Sequence, residues 1–392
     1  MNRFRVTASL ISLLALTACG GGGGDAGAAN GPIPPPVAYS YTMPAGNGDG
    51  WAVGHLDDHN FDTARIVLMM ARIHDQAFPG IDSVAIVRNE TLLLHEQLRQ
   101  NLDEFDPWAD NDDFRRHIMH STSKSVTSAL IGIAIDQGYI AGTGILFYDL
   151  FSYGSYPSWD PRKALITLED ALTMRLGYAW DEWSVPYGEP GNSLNDLSDR
   201  NGDLTKALLD LPMISDPGTE FVYNTAATIA IGQALENSVG VPMEDFAELH
   251  LFAPLQITTA TWGMTRNDLP NGGSGLFLET RDMLKFGQVF IDGGVWQGQQ
   301  VISAGWVDRS VQAQVPLDWN DVSGYGYQWW IDDFMVDGQS IRSYSTRGYG
   351  GQYIICVPDL RLVVAFTGHN YGEPEAGQVF DLMRDYILPS AN

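Results

Sequence analysis

Cysteine is almost absent from this sequence. Cys19 and Cys356 are the only two cysteines in 392 residues, and Cys19 lies at the end of an N-terminal leader described below. The mature domain therefore has one cysteine, which excludes an intramolecular disulfide by count. Cys356 lies in the apolar stretch 353–357, and we expect it to be a buried, unreactive strand residue. With this length and ordinary apolar content, the chain can bury a large core and form two lobes.

Basic residues are also scarce. The sequence has 22 lysines and arginines against 48 aspartates and glutamates, which gives a formal net charge of −26. A surface of this sign opposes binding to nucleic acid and to anionic lipid. We therefore expect no nucleic-acid partner, and contact with a membrane only through an N-terminal lipid anchor.

The N-terminal apolar run, residues 6–16, is too short to span a membrane as a permanent helix. Arg3 and Arg5 precede it, and it ends in Leu16-Thr17-Ala18-Cys19, which resembles the lipobox of bacterial lipoproteins. This resemblance implies a signal peptide over 1–18 and lipidation of Cys19. Plain secretory cleavage at a small-residue site is the alternative. Both predict an exported protein of the cell envelope, and the lipobox predicts a lipid anchor in the periplasm or outer membrane.

Composition and periodicity predict the organisation of the rest. Glycines 20–24 and the proline-rich segment 32–36 predict a tether over residues 19–50, followed by one domain over 51–392. Helical and alternating apolar patterns predict these elements: a helix over 63–77, a β-hairpin over 83–95, middle helices over 168–174, 204–211, 225–237 and 280–292, strands over 325–332, 353–357 and 362–367, and a last helix over 378–387.

The expected fold is of the α/β class, an α+β sandwich in which helices flank an antiparallel sheet. The N-terminal hairpin and the C-terminal strands can share that sheet, with the first and last helices on one face. This α/β lobe is expected over 60–140 and 320–392, and a mainly helical lobe over 141–319 is inserted into it.

Lysine is rare as well, with four in the sequence. Three of them follow an aspartate by three residues, where a helix-surface pair is the ordinary expectation: Asp160/Lys163, Asp203/Lys206 and Asp282/Lys285. Lys124 instead follows Ser121 by three residues, and the apolar run 125–140 predicts a buried helix that begins at the serine. An ammonium in that place should be desolvated, which lowers a lysine pKa.

The spacing of Ser121 and Lys124 is that of a nucleophile and its base. One helical turn places the hydroxyl beside the amine, at the positive end of a helix. S-x-x-K is the arrangement of serine hydrolases of the penicillin-recognising type. The alternative is a serine N-cap followed by an ordinary helical lysine, and the elements downstream argue against it.

Tyr223-Asn224-Thr225 follows the turn 217–219 and directly precedes a helix pattern. A tyrosine at this junction can place its phenol in the cleft between the lobes. There it can relay the serine proton and protonate the leaving group, provided that a neighbouring ammonium lowers its pKa. The alternative is a half-buried packing residue next to a helix cap.

The segment 345–352 leads into the strand 353–357 near the C-terminus. Such a strand edge can offer a backbone N–H that forms an oxyanion hole with the N–H of Ser121. The glycines of the segment, including Gly348, would let substrate approach the backbone closely.

These pieces together resemble the serine β-lactamase-related superfamily, closest to class C β-lactamases, their carboxylesterase relatives and 6-aminohexanoate-dimer hydrolases. The resemblance extends from about residue 60 to the end. The matching segments are 121–124, 217–225, 272–282, 325–330 and 350–352. The resemblance implies that Ser121 is the acyl-enzyme nucleophile, Lys124 the base and Tyr223 the proton relay.

The sequence departs from the family at two places. Thr225 stands where asparagine or serine is usual, so that a hydroxyl is kept and a methyl crowds the site. The K-T-G element of β-lactamases has no counterpart, because no lysine follows Lys285. Recognition of a β-lactam carboxylate would therefore fall to Arg342 or Arg347. The register of the segment 345–352 relative to Pro358, which follows the strand 353–357, favours Arg347 as the source of the second oxyanion N–H.

Two weaker patterns complete the candidate site. His117/His120 and His55/His59 have helical spacing, but no third ligand is evident, and surface or hydrogen-bonded core histidines are the expected reading. The loop 177–191 carries residues that can line a substrate pocket, with aromatic packing between the lobes as the alternative: Tyr178, Trp180, Asp181, Trp183 and Tyr187.

The sequence as a whole predicts a serine hydrolase that cleaves small esters or amides, with no cofactor or metal. A β-lactamase or D,D-peptidase would use the same machinery on a different substrate. A non-catalytic envelope binding protein is the alternative from another class, but it has no need of a buried lysine beside a serine.

Overall fold

The computed structural model describes residues 39–99, 115–200, 202–319, 322–371 and 377–391. The predicted signal peptide and Cys19 lie outside these ranges. Within them, no helix is both long enough and apolar enough to cross a bilayer.

A nine-stranded sheet organises the described part of the α/β lobe. Its order is β1-β3-β2-β14-β13-β12-β11-β10-β9, and a second sheet has the order β4-β6-β5, while β7 pairs with β8. The strands are β1 (Ala52–Val53), β2 (Ile81–Arg88), β3 (Thr91–Gln97), β4 (Arg116–Ile118), β5 (Thr261–Trp262), β6 (Leu276–Glu279), β7 (Val295–Trp296), β8 (Gln299–Gln300), β9 (Val315–Trp319), β10 (Val322–Tyr325), β11 (Trp330–Val336), β12 (Gln339–Gly348), β13 (Gln352–Val357) and β14 (Leu362–Gly368).

The two ends of the chain meet in this sheet, as the sequence predicted. β2 pairs with the C-terminal strand β14 in antiparallel register, from Leu362 opposite Arg88 to Thr367 opposite Ser83. β2 and β3 form the expected hairpin. Its two turn residues, Asn89 and Glu90, both have positive φ, of 49° and 62°. Two such residues are typical of the tight turns whose twist matches that of the flanking strands.

The helices flank the sheet and fill the inserted lobe. They are α1 (Thr63–His74), α2 (Ser123–Asp136), α3 (Leu168–Leu172), α4 (Ser193–Ser198), α5 (Leu204–Leu209), α6 (Thr225–Val239), α7 (Met243–Ala247), α8 (Thr280–Ile291), α9 (Ala304–Ser310), α10 (Gln378–Leu382) and α11 (Leu388–Ser390). The π-helical turns Glu248–Phe252 and Met383–Ile387 extend α7 and α10.

Two apolar cores lie on opposite faces of the sheet. Alternate residues of β13 point to each: Ile354 and Cys356 pack with α2 and α8, while Ile355 and Val357 pack with α1 and the C-terminal helices. The first and last helices therefore share one face, as predicted. Cys356 is fully buried, and burial raises the pKa of its thiol, so it is unreactive as expected.

Helix α8 belongs to the α/β lobe, although it falls within the range 141–319 predicted for the helical lobe. It packs on β2, β13 and β14. Gly287 permits this contact, because a Cβ there would lie 2.5 Å from Cγ1 of Val363. The small side chain lets the helix backbone approach the sheet.

The last residues of the predicted tether, 39–50, lie against the domain. The Tyr39 hydroxyl donates to Glu96 at 2.5 Å, and the Tyr41 hydroxyl donates to the carbonyl of Leu93 at 2.8 Å. Asp49 forms an ion pair with Arg281. In this part of the structure, ordered contacts begin at least twelve residues before the predicted domain boundary.

Of the three predicted aspartate–lysine pairs, one forms in the structure and two do not. Lys285 pairs with Asp282 at 2.8 Å, as predicted. Lys163 lies in a short 3-10 segment and its ammonium donates to the carbonyl of Leu209 at 2.9 Å. Asp203 caps α5 by accepting the backbone N–H of Lys206. The i,i+3 rule fails at the last two because neither sequence pair lies within a regular α-helix.

Candidate active site

Ser121 lies in a tight turn that follows β4 of the three-stranded sheet and packs against β12 of the nine-stranded sheet. The turn is the 3-10 segment His120–Thr122, and α2 begins at Ser123, two residues later than the sequence predicted. His120 has φ of 44°, a left-handed conformation that is costly for a residue with a side chain. The strained turn presents the serine at the start of α2.

Strand β12 approaches this turn closely. A Cβ at Gly348 would lie 2.2 Å from the carbonyl oxygen of Met119, so only glycine fits there. The predicted importance of Gly348 therefore lies in the contact between the strand and the turn that holds Ser121.

Lys124 is buried one helical turn after Ser121, with 1% of its surface exposed. Its Nζ lies 2.9 Å from the Oγ of Ser121, 3.0 Å from the Oγ1 of Thr225 and 2.8 Å from the carbonyl oxygen of Gly273. Burial lowers the pKa of Lys124 to about 7, and the charge of Glu182 partly opposes this change. The amine can therefore exchange a proton near neutral pH.

Gly273 supplies a backbone partner that the sequence did not reveal. A Cβ at this position would lie 2.6 Å from the carbonyl oxygen of Thr225, so a side chain is excluded. The absence of a side chain lets the Gly273 carbonyl reach Lys124. The glycine-rich segment 272–275 was visible in the sequence, but its acceptor was not.

Tyr223 ends the segment before α6, and Asn224 caps the helix by accepting the N–H of Ala227 at 2.9 Å. The Tyr223 side chain faces that of Ser121, and this interaction lowers the pKa of the phenol, against the larger causes described below. Its ring stacks on Trp183, with centroids 5.1 Å apart, and on Trp330, with centroids 5.8 Å apart. The structure thus brings together the three residues predicted to form the catalytic group.

The pKa of Tyr223 is raised rather than lowered. Burial is the largest cause, and the charge of Glu182 is the second. The ammonium of Lys124 lies over the ring face, 4.9 Å from the centroid. The condition that a neighbouring ammonium lowers this pKa is therefore not met, and the phenol keeps its proton at ordinary pH.

Thr225 is the first residue of α6, and its hydroxyl lies between two charged groups. Its Oγ1 is 2.6 Å from the Oε1 of Glu182 and 3.0 Å from the Nζ of Lys124. Its methyl would lie 2.9 Å from a Cβ at Gly273. The methyl thus occupies the space that the glycine leaves open.

Glu182 is a buried carboxylate that the sequence reasoning missed. Only 2% of its surface is exposed. Its Oε2 accepts from the indole N–H of Trp180 at 2.9 Å and from the backbone N–H of Thr225 at 2.8 Å. Its Oε1 accepts from the hydroxyls of Thr225 at 2.6 Å and Tyr187 at 3.0 Å. The sequence offered one signal for this residue, its position between two tryptophans.

The edge of β12 beside Ser121 is open. β11 pairs with β12 only as far as Ser345, opposite Trp330, whereas β13 pairs with β12 as far as Gly348. Residues 346–348 therefore have one edge without β11, and the Ser121 turn packs against β12. A backbone N–H on that edge can serve an oxyanion hole. Arg347 as its source stays a prediction.

The arginine side chains do not take the place of a K-T-G lysine. Arg347 is paired with the buried Asp332, and its guanidinium lies over the ring of Trp330. Arg342 is half-exposed and pairs with Asp333 at 3.6 Å. The two arginines are five positions apart on β12, so their side chains point to opposite faces of the sheet. The structure therefore gives no support to the expectation that one of these arginines binds the carboxylate of a β-lactam.

The predicted pocket residues separate into two groups. Tyr178 is buried in the helical lobe, where its hydroxyl meets that of Tyr148 at 2.9 Å, and Asp181 is exposed and accepts the N–H groups of its own turn. Neither reaches Ser121 because the loop folds away at these positions. Trp183 stacks on Tyr223, and Tyr187 bonds to Glu182, so these two do border the site.

The histidines of the pair His117/His120 have different neighbours from each other. His120 packs against the rings of Tyr349 and Tyr371, and burial lowers its pKa to about 3. His117 lies 3.7 Å from Asp82. In the residues that the structure describes, no group of three or more His, Cys, Asp or Glu side chains is arranged to hold a metal ion.

The family model described as Beta-lactamase matches residues 66–386. A 6-aminohexanoate-dimer hydrolase from Paenarthrobacter ureafaciens is 27% identical over 229 residues, which cover 55% of this chain and 57% of that protein. The matched segment thus spans little more than half of that relative.

Solved structures share the fold at low identity. The hydrolase EstCE1, described as having promiscuous acyltransferase activity, superposes with a TM-score of 0.65 at 15% identity, covering 83% of this chain and 98% of that one. A penicillin-binding protein from Bacillus halodurans superposes with a TM-score of 0.62 at 15% identity, covering 80% and 99%.

Proposed function

This chain belongs to the beta-lactamase family and is a serine hydrolase, and we propose that it cleaves small neutral esters or amides through an acyl-enzyme on Ser121. One observation carries the proposal: the Nζ of Lys124 lies 2.9 Å from the Oγ of Ser121, in a buried setting that lowers its pKa to about 7. A nucleophile beside a base that is partly neutral at working pH is what covalent catalysis requires.

In the proposed acylation, neutral Lys124 takes the proton of the Ser121 hydroxyl. The Oγ attacks the carbonyl carbon of the substrate, and its oxygen becomes an oxyanion. The N–H of Ser121 and a second backbone N–H from the open edge of β12, with Arg347 as the candidate, would stabilise that charge. The positive end of α2 adds to this stabilisation.

Tyr223 then serves as the proton donor to the leaving group. Its raised pKa keeps the phenol protonated, and its side chain interacts with that of Ser121, so the phenol would lie beside the bond that breaks. As the phenol gives its proton to the departing alcohol or amine, it receives the one held by Lys124. The products of this step are the free leaving group, the acyl-Ser121 ester and a neutral lysine.

Deacylation repeats the sequence with water. Lys124 takes a proton from water, the hydroxide attacks the acyl carbon, and the Ser121 oxygen leaves and is protonated again. The net reaction adds one water to one ester or amide bond and returns both side chains to their starting states.

The surroundings of Ser121 favour a neutral substrate with an apolar or planar group. An aromatic rim borders the site, made up of Trp183, Phe221, Tyr223, Trp319 and Trp330. Trp183 and Trp319 keep 53% and 41% of their surfaces exposed, so they are open to a ligand. Arg347 is already paired with Asp332. The net charge of −26 further disfavours anions.

A parallel assay tests this proposal. Purified protein and the variant Ser121→Ala are compared on a short-chain p-nitrophenyl ester, a linear ω-amino-acid amide and a chromogenic cephalosporin. We expect turnover of the ester or the amide that is lost in the variant. Turnover of the cephalosporin alone would establish a β-lactamase instead. Inactivity on all three would favour a binding protein that retains the fold.

A further inference from the structure

Glu182 has no role in the proton transfers proposed above, yet it is held by four donors. Trp180 and the backbone N–H of Thr225 donate to one carboxylate oxygen, and the hydroxyls of Tyr187 and Thr225 donate to the other. An ionised carboxylate is an acceptor only, so this is the arrangement expected of the charged form. A charge that is buried with all its hydrogen bonds made has a fixed position.

The carboxylate determines the direction of the Thr225 hydroxyl. That hydroxyl has one proton and two polar neighbours, Glu182 at 2.6 Å and Lys124 at 3.0 Å. The short bond to a charged acceptor takes the proton. The lone pairs of the Thr225 oxygen are then left facing Lys124, and toward the lysine this hydroxyl is an acceptor.

The neutral form of Lys124 has two N–H groups and one lone pair. Its three polar neighbours are Thr225, Gly273 and Ser121. A backbone carbonyl can only accept, and the Thr225 oxygen also accepts when its proton is given to Glu182. The two N–H groups are used by these two acceptors. The third direction, toward the Oγ of Ser121, is left for the lone pair.

We propose that Glu182 is a positioning residue, which acts through the Thr225 hydroxyl to direct the lone pair of neutral Lys124 at Ser121. This inference rests on the proposed function of Lys124 as the base. It assigns a specific task to the threonine that replaces the usual asparagine or serine. The Thr225 hydroxyl is the group that fixes the orientation of the Lys124 amine.

The variant Glu182→Gln reverses this polarity with little change of shape. Trp180 and the backbone N–H of Thr225 are obligatory donors, so the amide oxygen faces them and the amide NH₂ faces the Thr225 hydroxyl. That hydroxyl must then accept from the glutamine and turn its own proton to Lys124. The lone pair of the amine is drawn to Thr225 and away from Ser121.

The experiment measures kcat and KM on a short-chain p-nitrophenyl ester. We expect Glu182→Gln to lower kcat by about 100-fold, the lower end of a general-base contribution, with KM changed by less than about threefold. Thr225→Ser keeps the hydroxyl and should retain kcat within about threefold, whereas Thr225→Val should lose about as much as Glu182→Gln. Glu189→Gln is the control, because it removes the same charge from an exposed position of the same loop.

A double variant separates positioning from packing. If Glu182 acts through the hydroxyl, adding Glu182→Gln to Thr225→Val should lower kcat by less than about threefold more. The acidic limb of kcat/KM should also move to lower pH in Glu182→Gln, because the carboxylate charge raises the pKa of Lys124. A purely structural loss would lower the plateau and leave the limb in place.

The results separate a failure of the positioning role of Glu182 from a failure of the proposed function. If the wild type hydrolyses the ester and Glu182→Gln retains kcat within about threefold, or if the two losses multiply in the double variant, the positioning role is wrong. If Glu182→Gln fails to fold by circular dichroism, Thr225→Val against Thr225→Ser decides, and equal kcat values would refute the role. If the wild type itself is inactive, or if a serine-directed probe labels a residue other than Ser121, the proposed function is at fault.

Discussion

Hydrolysis by this enzyme should be lost on the acidic side of neutrality, because the proposed base, Lys124, is a buried lysine. The pKa of Lys124 is lowered to about 7 by burial. Only the neutral amine can take the Ser121 proton, so kcat/KM should fall with the fraction of neutral amine. Relative to the plateau, that fraction gives about a tenth of the activity at pH 6 and about a hundredth at pH 5.

No basic limb should appear below pH 9. The pKa of Tyr223 is raised above its ordinary value of 10 by burial and by the charge of Glu182, so the phenol keeps its proton throughout. His120 adjoins Ser121, but its pKa of about 3 keeps the ring neutral across the whole range. The single acidic limb can therefore be assigned to Lys124.

The assay follows initial rates of p-nitrophenyl ester hydrolysis from pH 5 to pH 9, at the isosbestic wavelength of the product. Spontaneous hydrolysis is subtracted, and thermal unfolding at each pH shows that the protein stays folded. A profile that is flat over this range, or one whose midpoint lies near the ordinary lysine value of about 10.4, would refute Lys124 as a base with a lowered pKa.

Four further outcomes are expected. A fluorophosphonate should label Ser121 alone, as peptide mass mapping would show. Both Lys124→Arg and Lys124→Ala should lose about 10²- to 10⁴-fold in kcat, because a guanidinium does not deprotonate. Recovery of Lys124→Arg to within about tenfold of the wild type would remove the lysine from the base role. Ester kcat/KM should exceed cephalosporin kcat/KM by more than about tenfold, and the reverse preference would mean that an arginine does receive the carboxylate. Arg347→Ala should lower the free energy of unfolding by on the order of 3 kcal/mol in urea titrations, since it removes a cation that is paired with the buried carboxylate of Asp332; a loss below about 1 kcal/mol would contradict a stabilising role for that pair.

The sequence predicted the parts of the site whose neighbours are close in the chain. Ser121 and Lys124 are one helical turn apart, and an apolar helix makes burial of the lysine a direct expectation. Tyr223 was found from its position before a helix. The shared sheet was predictable because strand patterns occur both in the N-terminal hairpin and near the C-terminus, whereas the order of the strands was not predicted.

The rest of the site depends on loop geometry, which periodicity does not encode. Glu182 and Gly273 reach Lys124 from segments 58 and 149 positions along the chain, and one of them contributes only a backbone atom. Tyr178 and Asp181 were predicted in the pocket because they share a loop with Trp183, but the loop turns between them. The condition placed on Tyr223, a pKa lowered by a neighbouring ammonium, is not met, since burial and the unseen Glu182 raise that pKa.

The Gly273 carbonyl also has a consequence for how this enzyme can vary. A saturation library across the site would find position 273 intolerant, because any Cβ there would collide with the backbone of Thr225. The acceptor that Lys124 uses would itself never be sampled, since no amino-acid replacement removes a main-chain oxygen. One of the three contacts of the Lys124 amine is therefore protected from side-chain substitution, and selection can alter it only by moving the loop.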